Sequence, residues 1–298
     1  MGHTIHYTNC PVCGSADIKQ VLQAKDHTVS SEIFSILECM HCSLRFTQDV
    51  PDASSISPYY KSENYISHTN TSAGLVNRMY QTVRKRTLKQ KRKLVKKITE
   101  KTKGSLLDIG SGTGAFINEM KQHDWEVTGL EPDADARAMA KQLYDIDLNE
   151  MNRFNLFQAN SFDAITLWHV MEHVHDLTAY VLQLKNLLKE KGRIFIAVPN
   201  YTSKDAAIYK EYWAAYDVPR HLYHFSPRSV EILMGKNGLK LLQYKPMWFD
   251  SFYISMLSSK YKNGSTNLLA AFCNGLRSNL KTISDVKRCS SVIYIVRK

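Results

Sequence analysis

The run Ser105-Leu-Leu-Asp-Ile-Gly-Ser-Gly-Thr-Gly-Ala-Phe116 constrains the fold more than any other part of the chain. Leu106 to Ile109 has the length and apolarity of a short buried strand. Gly110, Gly112 and Gly114 let the backbone turn tightly and come close to a ligand. Ala115 to His123 reads as a helix. Strand, glycine turn and helix form a nucleotide-binding unit, and they commit the chain to an α/β fold built on a parallel sheet. Gly110, Gly112 and Ala115 also fit the dinucleotide spacing G-x-G-x-x-G/A. Asp108 argues against a dinucleotide, because a carboxylate two residues before the first glycine would face pyrophosphate. It suits an ammonium or sulfonium group.

The run, glycine-rich through Gly114, resembles motif I of the class I S-adenosylmethionine (SAM) methyltransferases. The resemblance implies SAM as cofactor, with Asp108, Gly110, Ser111, Gly112, Thr113 and Gly114 around its methionine part. Glu126-Val-Thr-Gly-Leu-Glu131 reads as the second strand. An acid at its end can accept hydrogen bonds from ribose hydroxyls, so Glu131 takes that place. A weak third strand is expected around Ile146 to Leu148. Asp163 to Trp168 is the fourth. Ligands in such sheets lie beyond the carboxyl ends of the strands, which puts Trp168 and His169 at the cofactor's reactive end. Asp176 is a suitable N-cap for a helix from Leu177.

His169-Val-Met-Glu172-His173-Val resembles the E-x-x-E-H-V run of ubiquinone-biosynthesis O-methyltransferases, with His in the first position. The likeness implies a divalent metal at His169, Glu172 and His173 as one reading, and helix capping as another. Strand 5 is Arg193 to Val198. The long connection after it holds Tyr209, Tyr212, Trp213, Tyr216, Asp217 and Val218-Pro-Arg220-His221-Leu-Tyr223-His224. Such loops form substrate pockets. A methyl acceptor must lose a proton, so His221 and His224 are the candidate catalytic bases, and Arg220 a candidate anchor for an anionic acceptor. Pro227 to Gly238 reads as a helix, and Leu239 to Tyr244 and Ser291 to Val296 as the last two strands.

Cys10-Pro-Val-Cys13 and Cys39-Met-His-Cys42 are two C-x-x-C knuckles. Four thiolates complete a tetrahedral shell, so Cys10, Cys13, Cys39 and Cys42 are read as a structural Zn²⁺ site. Ile18–Leu22 and Phe34–Leu37 read as a hairpin between them. A ribbon this small depends on its metal to fold. Ribbon and acceptor loop together resemble sugar C-methyltransferases, with Val218 and Arg220 where that family's run has Tyr and Glu.

The net charge of +11 is concentrated. Residues 84–103 hold eleven Lys or Arg and one acid, Glu100. Leu75, Val76, Met79, Tyr80 and Val83, then Leu94, Val95 and Ile98, recur at helical spacing, so this is one amphipathic basic helix. Hydrophobic residues make up 44%, a value for a packed globular chain. No apolar run approaches the ~18 residues of a membrane span. Met1 to Cys10 lacks the apolar core of a secretory signal, and the expectation is a soluble cytoplasmic protein.

The expected architecture is a zinc ribbon over 1–50, a basic helical connector over 51–103, and a seven-stranded Rossmann-like SAM methyltransferase sheet over 104–298, with a helical insertion at about 246–290. The expected activity is methyl transfer to a small molecule, a sugar or sugar nucleotide, with O- favoured over C-methylation. An RNA methyltransferase gripping nucleic acid through ribbon and basic helix, and a non-catalytic SAM-binding module, are the alternatives.

Overall fold

The structure, a computed structural model, describes residues 3–60 and 75–298, without the side chains of 75–80. Residues 61–74 of the expected connector, and Leu75, Val76, Met79 and Tyr80 of its apolar stripe, therefore lie outside the described side chains.

The central sheet is built from β6 (Ser105–Ile109), β7 (Glu126–Leu130), β8 (Phe162–Trp168), β9 (Leu188–Pro199), β11 (Lys240–Pro246) and β12 (Ser291–Arg297), in the order β11-β12-β9-β8-β6-β7. Strands β7, β6, β8 and β9 run parallel, and β12 is antiparallel to both of its neighbours. Side chains alternate between the two faces, as the pleat requires. Leu106, Ala164, Phe195, Ala197, Ile293 and Ile295 face one layer. Leu107, Ile165, Ile194, Ile196, Val292 and Tyr294 face the other. Both faces are covered, which is why these strands read as continuous apolar runs.

Six strands are hydrogen-bonded among the described residues, where seven were expected. The third strand shrinks to a single parallel bridge, Leu130↔Asn149. Its segment carries Asp145, Asp147 and Asn149, residue types that strands disfavour, and Asp145 has φ 50°.

Helix α1 (Leu75–Thr99) lays Val95, fully buried, with Leu88, Leu94 and Ile98 onto the sheet. Helix α2 (Ala115–Lys121) packs beside it through Phe116 and Met120. The basic helix is thus a layer of the fold as well as a link in the chain. Helices α3 (Ala134–Tyr144), α4 (Leu177–Leu187) and α6 (Pro227–Lys236) complete the layers, the second capped by Asp176, whose Oδ1 accepts from the Ala179 N–H at 2.9 Å. A short α5 (Lys204–Tyr209) opens the acceptor loop.

The N-terminal strands β2 (Ile18–Lys25), β3 (Ile33–Cys39) and β4 (Arg45–Thr47) form an antiparallel sheet, and β1 (Thr4–Ile5) pairs with β5 (Val50–Pro51). A fourth strand, β10 (Tyr223–His224), joins β4 from the acceptor loop, pairing Tyr223 with Phe46 and His224 with Arg45. Cys39, Cys42, Leu44 and Phe46 share one hydrophobic cluster with Leu222, Tyr223, Phe225 and the sheet's Leu107 and Ile109. Ribbon and main sheet therefore meet in a continuous core.

Candidate functional site

Three glycines with positive φ shape the turn after β6, and each has a different role. A Cβ on Gly110 would fall 2.6 Å from Val170 Cγ2, and one on Gly114 would fall 2.9 Å from Ala140 Cβ. Those two positions admit packing neighbours. Gly112 has φ +53° and no heavy atom within 4 Å of an added Cβ. It leaves room beside the turn for a ligand.

Glu131 fastens the turn from the end of β7. Its Oε2 accepts from the Gly112 N–H at 2.8 Å, and its Oε1 from the Asp133 N–H at 3.0 Å. Asp108 lies buried at the end of β6, its Oδ1 accepting from Thr166 Oγ1 at 2.6 Å. Burial pushes its carboxyl up to about 6, against the Thr166 hydrogen bond and the Lys91 charge. Ser111 Oγ donates to the Asp108 carbonyl at 2.9 Å, and Thr113 Oγ1 lies 3.4 Å from Arg84 Nη2. Phe116 meets the Trp168 ring edge-on at 5.5 Å. Lys91 Nζ sits 4.2 Å from the centroid of the same ring. Burial lowers that ammonium to about 8, while Asp108 and Asp250 pull the other way.

This arrangement fits SAM. Asp108 is a buried carboxylate matched to a cationic group, Gly112 opens on free space, and Glu131 retains acceptor capacity for ribose hydroxyls. Lys91 was not legible in advance, since nothing in a run of eleven basic residues marks the one that turns inward.

His169 follows β8 with φ 61°, and its ring bridges two carboxylates. Nε2 lies 3.1 Å from Asp250 Oδ2, and Nδ1 lies 3.4 Å from Glu172 Oε1. Burial disfavours the imidazolium, but the two carboxylates outweigh it and push His169 up to about 10. His169 is therefore a cation at neutral pH. Asp250 opens helix α7 (Asp250–Asn263) in the C-terminal insertion, and no local motif announces it.

Glu172 is fully buried, and neither carboxylate oxygen has a hydrogen-bond donor among the described residues. Burial would raise its carboxyl; His169, with His221 and His173, holds it below the usual range. His173 Nδ1 donates to the Arg220 carbonyl at 3.0 Å, and burial and the His221 charge bring its ring down to about 4. His221 meets the His173 ring edge-on at 4.6 Å. One ligand atom each from Glu172, His173 and His221 lies within 4.8 Å of the others. The cluster that could take a divalent cation thus includes His221 from the acceptor loop, in the place the sequence reading gave to His169.

The acceptor loop brings His221 and His224 to different fates. His221 Nδ1 donates to the Ala215 carbonyl at 2.9 Å. In the neutral ring that bond leaves the Nε2 lone pair to accept a proton. His224 departs from its expected role as a base. It is buried in β10, with Nε2 3.1 Å from Thr47 Oγ1 and its ring edge-on to Tyr216 at 5.0 Å. Burial holds it well below the ordinary imidazole value. It packs the ribbon against the loop. Arg220 departs likewise from the expected acceptor anchor. Asp217 takes it at 3.0 and 2.7 Å, Asp26 at 3.1 Å, and the Tyr59 carbonyl at 2.8 Å. The guanidinium is buried, and each of its three nitrogens is engaged inside the protein.

The ribbon holds this loop at many points. Thr47 Oγ1 donates to the His221 carbonyl at 2.8 Å, Arg45 Nη1 donates to Tyr216 Oη at 2.9 Å, and Tyr201 Oη donates to the Ser43 carbonyl at 2.8 Å. The four cysteine sulfurs converge, with Cys10–Cys42 and Cys13–Cys39 each at 3.4 Å and all four within 4.8 Å of one another. Zinc with ~2.3 Å bonds needs sulfurs about 3.8 Å apart in a tetrahedron, so the set fits a structural zinc.

A family model described as a methyltransferase domain matches residues 80–244. The ubiquinone biosynthesis O-methyltransferase of Glaesserella parasuis is 33% identical over 124 residues, 36% of this chain and 52% of that protein. The protein of the same name from Nitrosococcus oceani is 32% identical over 161 residues, 48% of this chain and 68% of that protein. The chain thus spans about half of the first relative's length and 68% of the second's. The crystal structure of a putative sarcosine dimethylglycine methyltransferase from Galdieria sulphuraria is 12% identical, with a TM-score of 0.49, covering 74% of this chain and 88% of that one. With the family model spanning the glycine turn, Glu131 and the loop after β9, the chain belongs to the methyltransferase-domain family, the SAM-dependent methyltransferases.

Proposed function

We propose that the protein methylates a hydroxyl group of a small molecule, with His221 as the general base. The observation that carries this reading is the placement of His221. Its Nδ1–H is committed to the Ala215 carbonyl, and its ring stands against His173 and the buried Glu172 just past the end of β8. Bound SAM supplies an activated methyl group, held by Asp108, the glycine turn and Glu131. His221 Nε2 takes the acceptor's proton, and the ionised Glu172 nearby stabilises the imidazolium that forms. His169, fixed between Asp250 and Glu172, holds the cofactor end and the acceptor end in register. A sugar or sugar nucleotide as acceptor rests on the likeness of ribbon and loop to sugar C-methyltransferases.

The ribbon's part in this scheme is to brace the acceptor loop. Its four-stranded sheet is complete only with β10, and His221 hangs from Thr47 through its own carbonyl.

Methyl-labelled SAM incubated with host extract, then fractionated, tests the reading. Label among small molecules, lost in His221→Gln, supports it. Label in RNA would overturn it in favour of the basic helix and ribbon as an RNA grip.

A further inference from the structure

Helix α8 (Leu268–Ser284) in the C-terminal insertion is amphipathic in the reverse sense. Its buried face is Ala271, Gly275, Ser278, Asn279 and Thr282. Its outer face is Leu269, Phe272, Leu276, Leu280 and Ile283, spaced as one continuous stripe, with Leu269 76% and Ile283 73% exposed. The inward groups fix this orientation. Ser278 Oγ donates to Asp205 Oδ1 at 2.6 Å, and Asn279 Nδ2 donates to the Trp248 carbonyl at 2.9 Å. Gly275 admits the α7 backbone, since a Cβ there would meet Phe252 Cα at 3.1 Å. Turning the helix to bury its leucines would take Ser278 from Asp205 Oδ1 and Asn279 from the Trp248 carbonyl, at the cost of buried acceptors left short of a donor. Phe252 of α7 stacks on Phe272 at 5.4 Å and widens the apolar surface. A contiguous patch of this kind is uncommon on a soluble monomer and marks an interaction site.

The charge pattern identifies the partner. Residues 251–284 contain Lys260, Lys262, Arg277 and Lys281 and no Asp or Glu. Arg277 and Lys281 are exposed next to Leu276 and Leu280 along the stripe. A second copy would bring the same positive charges along the stripe, the nearest acid along the chain being Asp285 at the helix C-cap. A surface of anionic lipid headgroups over hydrocarbon meets both the stripe and its charge. No helix among the described residues is long and apolar enough to cross a membrane, so α8 would lie along the surface. We propose that α8 docks the protein onto anionic membranes, its stripe inserted at the headgroup boundary. The proposal stands apart from the reaction, since no residue of the stripe belongs to the methyl-transfer site.

Sedimentation of the full chain with vesicles of phosphatidylcholine, alone or with about a third phosphatidylglycerol, tests it. Partitioning at least tenfold stronger onto the anionic vesicles is expected, and weakened by salt. The pair Leu276→Ser and Leu280→Ser should lower it tenfold or more. The pair Arg277→Gln and Lys281→Gln should lower it severalfold on anionic vesicles only. Thermal unfolding of each variant should match the parent, because the altered side chains face solvent. No binding, or equal binding to both vesicles, would overturn the proposal. So would a dimer in sedimentation velocity that Leu276→Ser converts to monomer, since a second copy would then own the stripe.

Discussion

Gly112 and Glu131 meet across 19 residues of chain, whereas Thr47 and His224 meet across 177. The first contact belongs to the cofactor half of the site, a turn, a strand end and the loop that joins them. The second belongs to the acceptor half, where the ribbon, the loop after β9 and the segment after β8 come together. Asp26 reaches Arg220 across 194 residues, and Tyr7 reaches Tyr223 across 216. The cofactor half is a local device whose geometry follows from three positive-φ glycines and two carboxylates. The acceptor half has no such autonomy. The orientation on which His221's proposed role as a base rests comes from a backbone carbonyl six residues away, which fixes its ring, and from a distant ribbon strand, which holds its own carbonyl.

That contrast gives a series of tests. Removing zinc with a chelator, or Cys39→Ser with Cys42→Ser, should have the largest effect. Structural zinc is worth roughly 10–16 kcal/mol in small domains. Methyl transfer should be abolished and the melting temperature should fall sharply, while equilibrium dialysis finds residual SAM binding in protein that stays folded. If turnover survives chelation, the ribbon does not brace the loop.

His221→Gln should lower kcat by ~10²–10⁴ with SAM affinity unchanged, the usual contribution of a general base. His224→Gln should act through stability, lowering Tm more than kcat per folded molecule. A reversed result would exchange their roles. Arg220→Met removes the cation from between Asp217 and Asp26. Breaking a buried pair in this way costs about 3–5 kcal/mol, a fall in Tm of roughly 6–20 °C, read by calorimetry.

Asp108→Asn acts on the other half and should weaken SAM binding roughly thirtyfold with little effect on Tm, as expected for removing one partner of a buried charge contact. The parent should show the same dependence through pH. The Asp108 carboxyl lies at about 6, so SAM affinity measured by calorimetry should be greatest above that value and decline as pH drops through it.

A separate test is a stability slope from His169. Its ring is raised from 6.5 to about 10 by Asp250 and Glu172. The stabilisation is present in full below pH 6.5 and is lost as pH rises toward 10. Unfolding midpoints in urea should drift down across that window in the parent and stay flatter in His169→Gln.

The sheet strands from Ser105 to Trp168, the helix cap at Asp176, the two cysteine knuckles and the closing strand near Ser291 were legible because each is specified by residues close in sequence. A glycine turn, an alternating apolar run or a C-x-x-C pair carries its conformation with it. The third strand was overstated for the same local reason, since Ile146 and Leu148 look apolar, but the adjacent Asp145 and Asp147 leave only Asn149 bridged to the sheet edge. What tertiary structure alone decided was which distant side chains pair around the site. It separated His221 from His224, consumed Arg220 in Asp26 and Asp217, turned Lys91 onto Trp168, and supplied Asp250 to His169. Those assignments depend on which distant polar groups are buried together. Burial and pairing set the charge and reach of a side chain, and chain spacing does not encode either.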